Sequence, residues 1–269
     1  MAIASSAHVN WTRPETLAAL HVYLQLPFGQ LHQRNSKIKQ LSGWIGRTPG
    51  SIALKLVNLA SLDPAIVASG RSGMGNASAL DKKIWAELQT NWDQMALAAA
   101  HEYESLADSN GVQADKDFLD EAPFSEDVLA IERGGTRSAI VQVRINQARF
   151  RKAVLASYNA TCCISGLQHE KLVIASHIVP WSEDTQNRLN PQNGLCLSAL
   201  HDRAYDQGLI TVMPDYKVRV STKIKANKGD SFMAESLLSF DQKFIRFPDR
   251  FGPAPVFLEW HARRFGFIN

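Results

Sequence analysis

Apolar positions in the first hundred residues recur at helical spacing and are interrupted by turn-forming residues. Thr12 is a good N-cap, Pro14 and Glu15 fall in the first turn after it, and Leu17, Leu20, Val22 and Leu24 supply one apolar side, so a helix is predicted up to the break at Pro27 and Gly29. A second helix is predicted over Ser36 to Trp44, with Ile38, Leu41 and Ile45 at helical spacing and Gly46 as its stop. Gly46 to Ser51 reads as a tight turn in which Thr48 caps a third helix and Pro49 takes its first position. Ile52, Leu54, Leu56, Val57 and Leu59 give that helix a wide apolar face, and Asp63-Pro64 ends it. Three short helices with a sharp turn before the third form the layout of helix-turn-helix and Myb-like modules. A fourth helical stretch runs from about Ala79 through Ile84, Trp85, Leu88 and Trp92 to about Leu106.

The second half has a different pattern. Ile140, Val141, Val143 and Ile145 predict a strand over Ser138 to Ile145, followed by a helix over Gln147 to Tyr158 with Phe150, Val154 and Tyr158 on one stripe. Tyr158 to Gly166 reads as a short apolar strand, and Lys171 to Ile178 as a second that ends near His177. Asp184 to Asn190 is polar turn material, Asn190 to Gly194 a compact loop, and Leu195 to Asp206 a helix carrying His201. Gln207-Gly208 closes that helix before a strand over Leu209 to Met213. The fold class expected is α+β: a helical domain over residues 1–108, an acidic linker over 109–137 and a mixed domain over 138–269.

Composition narrows the function classes. The chain is 45% hydrophobic and 20% charged, with no apolar run long enough to cross a bilayer and no basic, apolar leader at its start, so a folded cytoplasmic protein is expected and a membrane role is not. Cys162, Cys163 and Cys196 are odd in number and two are adjacent, which argues for reduced thiols and against paired zinc knuckles; a structural Zn²⁺ is not expected. The net charge of +3 hides a basic segment before Lys83, an acidic one from Glu102 to Glu132, and basic clusters beyond. Basic blocks on either side of an acidic one suit contact with a polyanion.

Chemistry concentrates between Tyr158 and Leu209. A histidine ends a strand, an asparagine follows in the loop and a second histidine sits in a helix. The runs Cys-Cys-Ile-Ser-Gly166, Ala-Ser-His-Ile-Val-Pro-Trp181, Asn-Arg-Leu-Asn-Pro-Gln-Asn-Gly-Leu-Cys-Leu197 and Leu-His-Asp-Arg-Ala-Tyr-Asp-Gln-Gly-Leu-Ile210 occur in that order. Together they resemble the HNH endonucleases found beside restriction systems, over roughly Arg144 to Val220, and Phe257 to His261 is similar to the tails of such proteins. The resemblance implies a ββα-metal nuclease domain, with the N-terminal helices resembling the DNA-binding modules fused to it.

That resemblance implies a catalytic centre at His177, Asn193 and His201 in a divalent-metal-dependent endonuclease acting on double-stranded DNA, in restriction or phage defence. Phosphodiester hydrolysis needs a water deprotonated near neutral pH, for which an imidazole has the right range, so His177 is the expected general base. A cation neutralising the developing phosphorane charge would take His201 as its first ligand, and Asn193 would brace the loop that holds His177. Many HNH enzymes carry Asp or His just before the base; here Ser176, a weak ligand, stands there, so either the cation is held partly through water or a carboxylate, Asp202, Asp206 or Asp184, completes the shell, with Asp206 and Asp202 as the reserve candidates. Mg²⁺ is the expected ion, and the imidazole ligand admits Mn²⁺, Co²⁺ or Ni²⁺. Arg47, Thr48, Ser51 and Lys55 at the third helix, with Arg149, Arg151, Lys152 and Arg203 in the second domain, are the candidate DNA contacts. His169 and His261 are expected to be structural or solvent-exposed. Double-strand cleavage from one active site favours a homodimer, and no small-molecule cofactor is expected. Two alternatives remain: a non-catalytic DNA-binding protein in which Ser176 marks a decayed site, and an HNH nuclease acting on RNA or branched DNA.

Overall fold

The computed structural model describes residues 10–70, 75–112, 137–225 and 230–269. In the N-terminal part, α1 (Arg13–Gln25) starts in a capping box: Thr12 Oγ1 accepts from Glu15 N, and Glu15 Oε2 accepts from Thr12 N. The helices α2 (Ser36–Ile45) and α3 (Pro49–Ala60) follow, capped by Asn35 and Thr48, and α2 ends at Gly46 with φ 66° as a left-handed C-cap. Asp63 does more than close α3, because its side chain caps a further short helix, α4 (Pro64–Ala68). The expected fourth helix is broken at Asn91, whose ψ of 73° leaves the helical region, giving α5 (Ala79–Thr90) and α6 (Trp92–Ser109). Helix α1 is the centre of this bundle: Leu17 to Leu24 are buried all round, packed by α6, α3 and α2.

Most of the expected linker, residues 113–136, lies outside the described residues. The strand expected over Ser138 to Ile145 is instead the start of a single helix, α7 (Arg137–Ser157). Its β-branched residues lower helix propensity by only tenths of a kcal/mol each, and a strand is stable only when it has a partner to pair with. Nor is Tyr158 to Gly166 a strand; Asn159 and Ala160 turn through positive φ, and only Thr161 bridges to Gln168.

The pairing that matters joins β1 (Val173–His177) to β2 (Gly194–Ser198), antiparallel, with His177 opposite Gly194 and Ala175 opposite Cys196. Leu195 to Ser198, expected as helix, is therefore strand. It is buried throughout, so its apolar run carries no period that would separate the two. Ser198 then caps α8 (Ala199–Asp206) through a bond from His201 N. A second hairpin, β3 (Ile210–Val212) with β4 (Val218–Val220), precedes the short helices α9 (Thr222–Lys225) and α10 (Ser231–Ser236) and the C-terminal α11 (Pro255–Arg264). The result is α+β. Helix α7 packs against β1 and β2 on one side and against α1 on the other, and one hydrophobic cluster runs through both halves of the chain. No described helix is long and apolar enough to cross a membrane.

Candidate active site

Two faces of the β1–β2 hairpin hold the candidate residues. Neighbouring residues on a strand point to opposite faces, so Ser176 and His177 part company. His177 faces α7, where its ring stacks on Phe150 with centroids 3.6 Å apart and planes at 12°. Trp181 closes the other side edge-on at 5.7 Å. That stack exists because Gly194, the cross-strand partner of His177, has no side chain: a Cβ there would meet Val154 at 2.6 Å and Phe150 at 2.8 Å.

The tautomer of His177 follows from its partner. Its Nε2 lies 2.9 Å from the Arg188 carbonyl oxygen, which can only accept, so Nε2 carries the proton and the Nδ1 lone pair is the basic site. Burial disfavours the imidazolium and, with the nearby Arg188 charge, outweighs the carbonyl bond that favours it, bringing the His177 pKa down to about 4. The ring is neutral at physiological pH.

Asn193 sits at the end of a 3₁₀ turn (Pro191–Asn193) and is 1% exposed. Its Oδ1 accepts from Val179 N at 2.8 Å, and its Nδ2 donates to Val179 O at 3.1 Å and to Asn187 O at 3.3 Å. One side-chain amide thus acts as an extra rung of the ladder, and the Asn193 carbonyl adds another by accepting from Ile178 N at 3.0 Å. The strand exit after His177 is fixed to the strand entry before Gly194. Asp184, a reserve metal ligand in the sequence reading, is occupied in the same loop: Oδ1 accepts from Gln186 N and Asn187 N, and Oδ2 from Asn187 Nδ2.

On the opposite face the Ser176 side chain hydrogen-bonds to the Asp202 carboxylate of α8. Burial raises the Asp202 pKa, against the lowering effects of Ser176 and Arg203. His201 is turned elsewhere. Its Nε2 meets the Ser236 carbonyl at 2.9 Å and its Nδ1 meets Ser198 Oγ at 2.8 Å, with Cys162 Sγ at 3.6 Å. Both ring nitrogens of the expected first metal ligand are therefore used within the fold, and the imidazole is 3% exposed. Asp206, one turn beyond Asp202, is exposed, as is Arg203.

No three His, Cys, Asp or Glu side chains converge on a common point among the described residues, which therefore present no closed metal cage. An Mg²⁺-type ion asks for less, since it keeps several waters and takes one or two carboxylates plus substrate phosphate oxygens. Asp202 with Ser176 meets that minimum. The three cysteines are free and buried.

Several candidate DNA contacts are bonded within the fold, and one, Lys55, is buried. Arg47 donates to Glu15 at 3.0 and 3.1 Å, and its guanidinium lies over the Trp11 ring. Lys55 is 4% exposed and bonded to Asp81 at 2.6 Å, which removes it from any surface a phosphate could reach. Apolar neighbours on a helix do not reveal that a lysine among them is buried; the partner, Asp81, comes from α5. Thr48 and Ser51 form the N-cap of α3. Arg149 pairs with Glu104 and Asn146, and Arg151 donates to the Val173 and Glu170 carbonyls at 2.8 Å each. Arg151 and Lys152 line a cleft of about 560 Å³ between the α1–α2 region and α7, with Lys37 and Glu170. His261 is buried, stacked on Tyr205 and bonded to Thr211 Oγ1 at 2.8 Å, a structural position.

The roles of Asp93, Arg188 and Phe150 beside His177 carry no local signal in the sequence. Each touches the His177 environment only through tertiary contact.

Residues 162–213 match the family model described as HNH endonuclease, a span that contains Ser176, His177, Asn193, His201, Asp202 and Asp206. No curated protein matches the chain.

Proposed function

We propose that this protein is an endonuclease that hydrolyses phosphodiester bonds in double-stranded DNA, with His177 as its general base, serving restriction or phage defence. The observation that carries this reading is the His177 ring held by the Arg188 carbonyl so that Nδ1 is left to accept a proton, inside a segment matching HNH endonucleases. Nδ1 takes a proton from water, the resulting hydroxide attacks phosphorus, and the bridging oxygen leaves. Asn193 keeps the loop and strand around His177 in one geometry. The donor set left for a divalent cation, Mg²⁺ or one of Mn²⁺, Co²⁺ and Ni²⁺, is Asp202 with Ser176, on the hairpin face opposite His177; bound there it would supply positive charge. A homodimer supplies the second centre needed to cut both strands.

A second reading, a DNA-binding protein with a decayed centre, is favoured by one observation: His201 has no ring nitrogen left for a metal. Supercoiled plasmid incubated with Mg²⁺ or Mn²⁺, with and without a chelator, separates the two. The endonuclease reading expects nicked and linear products from the wild type, their loss on chelation, and a drop of about 10²–10⁴-fold in His177→Ala. Equal cutting by both proteins overturns it. Single-stranded DNA and RNA in the same assay define the substrate class.

A further inference from the structure

The peptide group joining Arg188 to Leu189 is gripped from both ends. Its carbonyl accepts from His177 Nε2 at 2.9 Å, and its N–H donates to Asp93 Oδ1 at 2.7 Å. Asp93 also accepts a bond from the Arg188 backbone N–H. This carboxylate stands in the first turn of α6 and reaches across 96 positions of sequence to the loop between β1 and β2. An acidic residue at a helix start ordinarily serves its own helix. Here the Asp93 carboxylate bonds to the loop, and the N-cap Asn91 makes no side-chain cap bond. Three groups thus lie in series: carboxylate, peptide, imidazole. An N–H bound to an anion polarises its own carbonyl, which becomes the stronger acceptor for the next donor.

We propose that Asp93 is a positioning residue for His177, acting through the Arg188–Leu189 peptide, so that the N-terminal helices complete the nuclease centre. The carboxylate fixes the peptide plane, the plane fixes the carbonyl, and the carbonyl fixes which ring nitrogen of His177 is protonated and where Nδ1 points. Trp181 supports the same plane from the side: its carbonyl accepts from Arg188 Nε at 2.8 Å, and its ring lies 5.2 Å from the Arg188 guanidinium. This inference rests on the reading of His177 as general base, and one arm of its test does not depend on cutting.

The test uses the full chain with Asp93→Ala and Asp93→Asn. Asn keeps an oxygen that can accept from Leu189 N; Ala keeps none. Asp93→Ala is expected to lower kcat by about 10–100-fold with KM within about twofold, the scale of an outer residue that orients a catalytic group. Asp93→Asn is expected to retain kcat within about threefold to fivefold. Independently, long-range ¹H–¹⁵N spectra of the His177 ring at neutral pH are expected to show the Nε2–H tautomer alone in wild type and Asp93→Asn, and a mixture in Asp93→Ala. Should Asp93→Ala fail to fold, Asp93→Ser, with a shorter oxygen arm, carries the same comparison. Wild-type kcat in Asp93→Ala, a loss confined to KM, or an unchanged tautomer overturns the proposal. A wild type that cuts nothing but shows the Asp93-dependent tautomer retains the positioning role and overturns the nuclease reading instead.

Discussion

Arg250 Nη1 donates to the Tyr23 carbonyl at 2.6 Å, and its guanidinium lies 4.6 Å from the Tyr23 ring centroid, joining residues 227 positions apart in the interior. Arg250 is 0% exposed. Asp63 faces its charge while accepting from Phe251 N at 3.1 Å, and Phe251 in turn stacks on Trp85. The guanidinium thus ties the segment before α11 to α1 of the helical bundle.

Arg250→Ala takes away the donor to the buried Tyr23 carbonyl and the positive charge near Asp63, so it is expected to cost roughly 1–3 kcal/mol. Urea unfolding followed by fluorescence measures it. A loss under 1 kcal/mol would mean that the bond to the Tyr23 carbonyl contributes little to stability.

Gly194→Ala tests the packing behind His177. A methyl group 2.6 Å from Val154 and 2.8 Å from Phe150 has to push β2 away from α7 or tilt the Phe150 ring. Overpacking of this kind costs about 1–3 kcal/mol, and cleavage is expected to fall further than stability, because Phe150 is the surface on which the His177 ring rests. Cleavage at the wild-type rate would show that the stack is dispensable.

Acid should weaken the fold before it protonates the folded histidines. Burial, the largest cause in each case, lowers His177 to about 4 and His261 to about 3, and also lowers His21. Each is depressed below the unfolded value of about 6.5, so the unfolded state binds more protons between the two limits and stability rises with pH there. This contribution is complete above about pH 6.5 and fades as pH falls towards 4 and 3. His177 and His261 together should account for a loss on the order of 2–4 kcal/mol between pH 7 and pH 5, read from urea midpoints. His177→Phe is expected to reduce that slope.

Lys55 offers a clean separation of stability from DNA binding. Lys55→Ala leaves Asp81 buried without its partner and should destabilise by about 3–5 kcal/mol, while the salt dependence of DNA binding stays as in wild type. A shallower salt slope in the variant would return Lys55 to the phosphate-contacting set.

Much of this molecule was legible locally. The caps Thr12, Asn35 and Thr48, the Gly46 stop and the Pro49 start lie within a few residues of the backbone groups they serve, so the sequence displays both partners at once. The order of His177, Asn193 and His201 likewise pointed to one family. Errors fell where a local pattern admits two structures: a β-branched run that became the start of α7, and an apolar run that became β2 rather than helix.

What the sequence alone determined, then, is the set of chemical groups and the short-range bonds that begin and end each element. Tertiary structure decided which of those groups are available. It committed Lys55 to Asp81 and both nitrogens of His201 to Ser198 and Ser236, and it left Nδ1 of His177 as the basic site. It also brought Asp93 to the Leu189 N–H from another part of the chain. The physical reason is range: a cap or turn is settled within a few residues, whereas burial, tautomer and pKa depend on neighbours that only the folded packing supplies.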